Sequence, residues 1–158
     1  MLVVPLPPPA ELEKLLSGLL MRAVKVAKVP GESPGSPCAV ALYRTDEPVL
    51  ELAVLCDVPL AASLAAALTV VPAGAVKDCV AAGGLDDSLR ENFAEVMNVV
   101  ARFVSTGAGR RFALQRVSCP PELPAGDLLE KAAGSDEKRE LSAEVSGYAT
   151  GRIAFCTI

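Results

Sequence analysis

Apolar positions in the first third of the chain predict a helix followed by a strand hairpin. From Glu11 they recur every three or four residues, which predicts an amphipathic helix ending near Val26. Its apolar positions are Leu12, Leu15, Leu16, Leu19, Leu20 and Ala23. Residues 1–9 are rich in proline and predict an extended N-terminal segment. Two runs rich in Val, Leu and Tyr, 38–44 and 49–56, flank turn residues and predict a β-hairpin.

The segment 58–76 has no charged residue and is long enough to span a bilayer. Pro59 and Pro72 interrupt it, however, and the leucines follow one helical stripe among many alanines. This pattern favours a buried helix over 60–70 rather than a membrane span. A short helix is predicted over 75–82, where two glycines end it.

The longest predicted helix begins at Asp86, runs to about Thr106 and stops at Gly107. Ser88 and Glu91 have the spacing of a capping box at its start. One face is apolar and is predicted to face the core, through Leu89, Phe93, Val96, Met97, Val100, Phe103 and Val104.

The last third predicts a strand (112–117), a rigid proline turn (119–124), a short helix (127–133) and two final strands (140–145 and 152–158). Helices and strands are therefore mixed without βαβ alternation. We predict an α+β fold in which a largely antiparallel sheet packs against helices, formed as a single domain over 1–158.

Composition excludes several function classes. The chain has no histidine, which excludes Ser-His and Cys-His catalysis and a histidine-ligated metal. With 15 basic and 19 acidic residues the net charge is −4, and tryptophan is absent. This balance argues against nucleic acid as the partner. We expect no cofactor or metal of the protein's own.

The five cysteines are widely spaced and form no Cys-x-x-Cys, so they predict buried reduced thiols rather than a disulfide framework or a zinc site. The first residues lack the basic region and apolar run of a signal peptide. We therefore expect a cytoplasmic protein with no membrane partner.

The outer face of the longest helix contains Glu91, Glu95, Asn98 and Arg102, at offsets of four, seven and eleven from the first. Glu95 and Asn98 are three residues apart, so their side chains are neighbours. On the helix alone, a solvated face is the favoured explanation of such residues, although asparagine is a poor helix former in the middle of a helix.

The stretch from Glu91 to Asn98 resembles the signature of the CheC/CheX chemotaxis phosphatases. That signature is Asp or Ser, three residues, Glu, two residues, Asn, then twenty-two residues and Pro. Glu95 and Asn98 match, and the spacing from Asn98 arrives at Pro121. Because only one Glu-x-x-Asn is present, the chain is more similar to the single-unit CheX type, whose fold the predicted element order also resembles.

The resemblance implies a phosphatase that hydrolyses the aspartyl phosphate of a CheY-like response-regulator receiver domain. It implies that Asn98 positions the attacking water and that Glu95 reaches the receiver's phosphoryl-site lysine. The receiver supplies the Mg²⁺ ion and the phosphorylated aspartate. Pro121 is expected to shape its loop, and the resemblance allows a homodimer through the sheet edges.

Two positions depart from the family pattern. Glu91 stands where Asp or Ser is expected, and Ala101-Arg102 stands where the family often has Gly-Asn. We assign Glu91 and Arg102 to partner binding. The departures leave two alternatives open: a non-catalytic module, like the CheX-type fold in the flagellar switch protein FliM, that only binds a receiver domain or the switch, and an unrelated α+β domain.

Overall fold

A computed structural model of the chain describes residues 5–124 and 126–158. The helices are α1 (Pro9–Leu20), α2 (Val58–Leu68), α3 (Gly74–Ala82), α4 (Asp87–Ala108) and α5 (Leu128–Ala133). The strands are β1 (Val24–Lys28), β2 (Cys38–Arg44), β3 (Glu51–Asp57), β4 (Ala113–Ser118), β5 (Lys138–Val145) and β6 (Thr150–Thr157).

The six strands form one antiparallel sheet in the order β1-β5-β6-β3-β2-β4. The predicted hairpin is present as β2 and β3, in register from the Cys38–Asp57 pair to the Arg44–Glu51 pair. β1 and β4 are the two edge strands. The predicted α+β class with a largely antiparallel sheet is confirmed.

The main core lies between one face of the sheet and the helices α1, α2 and α4. A smaller apolar cluster on the other sheet face includes Ala132 of α5, together with Ala53, Ala154 and Cys156. The core-facing strand positions alternate along each strand, as in Ala39, Ala41 and Tyr43 of β2. Four of the five cysteines are buried and all five are reduced, as predicted.

Helix α2 explains the long uncharged segment. Nine of its residues are buried, so it is apolar all round because it crosses the interior of the domain. Asp57 begins this helix by accepting a hydrogen bond from Leu60 N at 3.1 Å, which places its start two residues before the predicted Leu60. Within the described residues, no helix is long and apolar enough to cross a membrane.

The predicted end of the first helix is wrong. α1 ends at Leu20, Met21 adopts a left-handed conformation, and β1 follows where the helix was expected to continue. Val24 and Val26 pair with β5, more than a hundred residues later in the chain. This pairing forms a strand where the last turn of the helix was predicted. Of the proposed N-terminal segment, residues 1–4 lie outside the described residues, and α1 already begins at Pro9.

Both ends of α4 also differ from prediction. Asp86 rather than Ser88 is the N-cap, since its carboxylate accepts a hydrogen bond from Leu89 N at 2.9 Å. Gly107 is helical, and a side chain there would lie only 2.4 Å from Pro5 O and Pro7 Cδ. The helix ends at Gly109, which takes the left-handed conformation that glycine adopts without strain.

The remaining boundaries shift by one or two residues. β3 begins at Glu51, β4 covers Ala113–Ser118, and β5 and β6 each begin two residues earlier than predicted. Shifts of this size are expected, because the last residue of a helix or strand depends on hydrogen-bonding partners that the local sequence does not identify.

Candidate functional site

Helix α4 carries the candidate residues, and its inner face is entirely committed to the core. The apolar stripe predicted from the sequence is buried at every position, through Leu89, Phe93, Val96, Met97, Val100, Phe103 and Val104. With 22 residues, α4 is the longest helix in the described part of the chain. The helix therefore presents its outer face from a fixed position.

Three side-chain hydrogen bonds hold the middle of α4 in place. The buried Tyr43 hydroxyl donates to Met97 O at 2.6 Å, directly before Asn98. The Asn92 amide donates to Ala65 O at 3.1 Å and to the Thr69 hydroxyl at 2.9 Å. These bonds connect α4 to neighbouring elements, so the backbone around Asn98 is held from the sheet and from α2.

The four polar residues singled out on the outer face are all exposed. We call them the α4 ridge: Glu91, Glu95, Asn98 and Arg102. Glu95 and Asn98 lie one helical turn apart on this ridge, which brings the two side chains to neighbouring positions as the motif requires. Their chemical roles stay predictions.

Pro121 lies at the N-terminal end of α4. In its loop, Pro120 O accepts a hydrogen bond from Leu85 N at 3.1 Å, and Glu122 forms an ion pair with Arg90 at 2.9 Å. Arg90 precedes Asn98 by eight residues, which is about 12 Å along a helix. The structure therefore brings Pro121 to the first turn of α4 rather than to Asn98.

Two grooves flank the α4 ridge. The first, of about 630 Å³, separates α4 from α1, and the residues that line it include Leu15, Leu19, Val99, Glu11, Lys14 and Arg102. The second, of about 560 Å³, separates α4 from the start of β4. We call the second one the α4–β4 groove; it is lined by Asn98, Ala101, Arg102, Ser105, Arg111, Phe112, Ala113 and Leu114.

Sequence reasoning missed Arg111. The residue follows the helix by only a few positions, but the left-handed turn at Gly109 reverses the chain and places Arg111 back beside the ridge. Ser105 holds this return, because its hydroxyl accepts a hydrogen bond from Phe112 N at 2.9 Å. The pair of arginines at 110 and 111 was the available signal, and only the turn geometry shows which of them lines the groove.

Thiol chemistry is disfavoured beside the Pro121 loop. Burial raises the pKa of the Cys119 thiol, beside the Pro121 loop, to about 11, against a partly opposing effect of Arg90. A thiol with that pKa stays protonated at neutral pH and is a poor nucleophile. Within residues 5–124 and 126–158, no three His, Cys, Asp or Glu side chains form an arrangement that would hold a metal ion.

The exposed groups of the ridge suit positioning rather than covalent chemistry. An amide can accept one hydrogen bond through its oxygen and donate through its nitrogen, and a carboxylate can pair with a cation on another molecule. All four ridge residues are exposed, and only Asn98 and Arg102 line a groove. An exposed helix face of this kind fits insertion into a pocket of a partner better than the enclosure of a small substrate.

Comparison by sequence finds no relative: no family model matches the chain, and no curated protein matches it. Comparison by structure finds several. The FliM middle domain from H. pylori superposes with a TM-score of 0.67 at 8% identity, covering 94% of this chain and 84% of that one. The FliM middle domain from Vibrio alginolyticus gives 0.61 at 10% identity, covering 95% and 87%.

A CheX protein has the same architecture. The crystal structure of a CheX–CheY–BeF₃–Mg²⁺ complex from Borrelia burgdorferi contains a chain with a TM-score of 0.54 at 13% identity, covering 91% of this chain and 90% of that one. At such low identity the likeness shows the fold alone. The chain therefore has the fold shared by CheX proteins and FliM middle domains, as the sequence resemblance predicts.

Proposed function

We propose that this CheX-like chain is a phosphatase that hydrolyses the aspartyl phosphate of a CheY-like receiver domain. The observation that carries the proposal is the exposure of Glu95 and Asn98, one turn apart, on a helix whose opposite face is fully buried. A carboxylate and an amide held in this way are able to enter a partner's reaction pocket without rearrangement of the helix.

Asn98 acts on the attacking water. Its side-chain oxygen accepts a hydrogen bond from a water placed in line with the phosphorus, opposite the aspartyl oxygen. The water oxygen bonds to phosphorus, the bond between phosphorus and the aspartyl oxygen breaks, and inorganic phosphate and the free aspartate carboxylate leave. This reaction needs positioning more than a strong base, so the absence of histidine is no obstacle.

Glu95 sets the docking register. Its carboxylate pairs with the lysine near the receiver's phosphoryl group, while the receiver's own Mg²⁺ neutralises the phosphoryl oxygens. Glu91 and Arg102 contact the receiver on either side of this pair. A CheX of the same fold is found in complex with CheY, BeF₃ and Mg²⁺, which supports a receiver domain as the partner.

The test is phosphate release from phosphorylated receiver domains of the same organism, with Asn98→Ala compared against the unaltered protein. We expect the variant to lose about 100-fold in stimulated release, as for other groups that position a reactant in phosphoryl or acyl transfer. Because Asn98 is exposed, the melting temperature of the variant should equal that of the unaltered protein.

Asn92→Ala is the matched control, since Asn92 is an asparagine of the same helix whose amide bonds to α2. That variant should lose stability but keep its turnover per folded molecule. Release that is unchanged in Asn98→Ala, or lost equally in both variants, would contradict the assignment of Asn98.

A non-catalytic binding module is the second candidate. The FliM middle domains superpose with higher TM-scores than the CheX of the complex, and Glu91 departs from the phosphatase signature. Such a module binds the phosphorylated receiver and leaves its phosphoryl lifetime unchanged. Binding of a BeF₃⁻–Mg²⁺-loaded receiver without any acceleration of phosphate release would favour this candidate over the enzyme.

A further inference from the structure

We propose that the α4–β4 groove is an anion-binding subsite, in which Arg102 and Arg111 contact the phosphoryl group of the docked receiver domain. This inference rests on the proposed partner and adds to the roles of Glu95 and Asn98. It assigns a function to Arg111, which lies outside the recognised motif, and a specific ligand to Arg102.

The charge of the groove is the first argument. The chain as a whole is acidic, yet the two charged residues that line the groove are both arginines. In the described part of the chain, neither guanidinium takes part in an ion pair, and both residues are exposed. Positive charge that is not neutralised by the protein itself is available to an anion on a partner.

The placement of the two arginines is the second argument. Arg102 is one turn beyond Asn98 on the rigid helix. Arg111 is anchored by the next residue, Phe112, which is buried and hydrogen-bonded to Ser105 through its backbone N–H. The small Ala101 also lines the groove, and its short side chain leaves room for a ligand. Both guanidiniums are therefore carried by fixed backbone beside the amide that positions the water.

The order of charges along the α4 ridge is the third argument. The ridge is acidic at Glu91 and Glu95, neutral at Asn98 and basic at Arg102, and Arg111 reinforces its basic end. Two carboxylates alone would repel a phosphoryl group brought against them. The arginines offset this repulsion and orient the partner, with its lysine toward Glu95 and its phosphoryl oxygens toward the groove.

Guanidinium groups suit this ligand. Their planar N–H donors match phosphoryl oxygens, often with two parallel hydrogen bonds. An arginine supplied by a second protein also stabilises the charge that spreads over the oxygens in the transition state of phosphoryl transfer. The arginines in this groove would act both on capture of the phosphorylated receiver and on its turnover.

The experiment measures binding and turnover separately. Arg102→Gln, Arg111→Gln and the double variant are titrated with receiver domains of the same organism, each either loaded with BeF₃⁻–Mg²⁺ or unloaded. We expect the double variant to bind the loaded receiver about 10- to 100-fold more weakly, the range of one or two charge-assisted hydrogen bonds. Binding of the unloaded receiver should change by less than about threefold, because it presents no phosphoryl-like anion.

Arg116→Gln is the matched control. Arg116 is an exposed arginine of β4, but it lies with Leu42 and Leu128 on the sheet face that α5 covers. The same loss of one positive charge there should leave both affinities unchanged. If Arg116→Gln and Arg111→Gln weaken binding of the loaded receiver equally, the arginines act only through general electrostatic attraction, and the subsite is overturned.

The outcomes separate this inference from the proposed function. If the unaltered protein accelerates phosphate release and the double variant has the same affinity and turnover, the subsite is overturned and the proposed phosphatase activity is not. Arginine-dependent binding of the loaded receiver without accelerated release supports the subsite and overturns the phosphatase activity. If no loaded receiver binds the unaltered protein, both proposals are wrong.

Discussion

Asn92 and Asn98 are the same residue type in two different environments on one helix. The Asn92 amide is turned toward α2, where two hydrogen bonds satisfy it. The Asn98 amide is turned outward, and in residues 5–124 and 126–158 its side chain has no hydrogen-bond partner. Asparagine is a poor helix former, so a stabilising contact accounts for Asn92, whereas Asn98 has no such contact and is free for the role proposed for it.

At the same scale we predict the effect of removing the Glu95 charge. Glu95→Ala should weaken binding of the BeF₃⁻–Mg²⁺-loaded receiver about tenfold and lower phosphate release together, because in the proposed mechanism the carboxylate pairs with a cation of the partner. Isothermal titration at two salt concentrations tests this, and the difference from the unaltered protein should shrink at high salt.

Glu144→Ala is the corresponding control, since Glu144 is an exposed glutamate of β5 with no part in the ridge. It should leave binding and release unchanged. If circular dichroism shows that the Glu95→Ala variant is unfolded, position 95 has a structural role instead.

At the scale of the element, the site depends on where α4 begins and ends. The Asp86 carboxylate caps the first turn, and the ion pair between Arg90 and Glu122 connects this turn to the Pro121 loop. At the other end, Gly109 reverses the chain and Arg111 returns to the ridge. The two ends of α4 therefore determine which loop residues stand beside its exposed face.

We predict that Asp86, not Ser88, stabilises the start of α4. Asp86→Ala should lower the free energy of unfolding by about 1 kcal/mol, the usual contribution of an N-cap side chain, because it leaves Leu89 N–H without its acceptor. Urea denaturation measures the change. Ser88→Ala is the control and should alter stability by less than about 0.5 kcal/mol; the reverse ranking would restore the capping box that the sequence suggests.

At the scale of the whole molecule, Asp57 joins the sheet to the helical layer. Its carboxylate accepts hydrogen bonds from Leu60 N at 3.1 Å, which begins α2, and from Arg152 N at 2.9 Å on β6. The half-buried carboxylate thus connects the end of β3 to two other elements. The core beneath the α4 ridge depends on α2 being placed in this way.

Asp57 also predicts a pH dependence of stability. Burial raises the pKa of its carboxyl above the ordinary 3.8, although the hydrogen bonds from Leu60 and Arg152 oppose the shift. The folded state therefore holds this proton more tightly than the unfolded state does. Its contribution to stability is largest below pH 3.8 and is lost as the pH rises through the folded pKa.

Urea denaturation of the unaltered protein and Asp57→Asn from pH 3.5 to 7 tests this. The free energy of unfolding of the unaltered protein, relative to the variant, should fall as the pH rises. A difference that grows with pH would show that the hydrogen bonds outweigh burial and that the pKa is lowered instead.

The sequence alone predicts the elements whose signal is local. The buried stripe of α4 and the hairpin of β2 and β3 follow from periodicity within twenty residues, and the Glu95–Asn98 pair follows from helix geometry. Strand β1 could not be found in this way, because Val24 and Val26 become a strand only through pairing with β5.

The amino-acid sequence determined that a carboxylate and an amide share the outward face of a long amphipathic helix, since the helical repeat orients each side chain from its spacing. Only the tertiary structure decided what stands beside them. It brings Arg111 to the ridge through the turn at Gly109 and places Pro121 at the far end of α4. Such contacts between segments depend on how the chain reverses and packs, which spacing along the sequence does not encode.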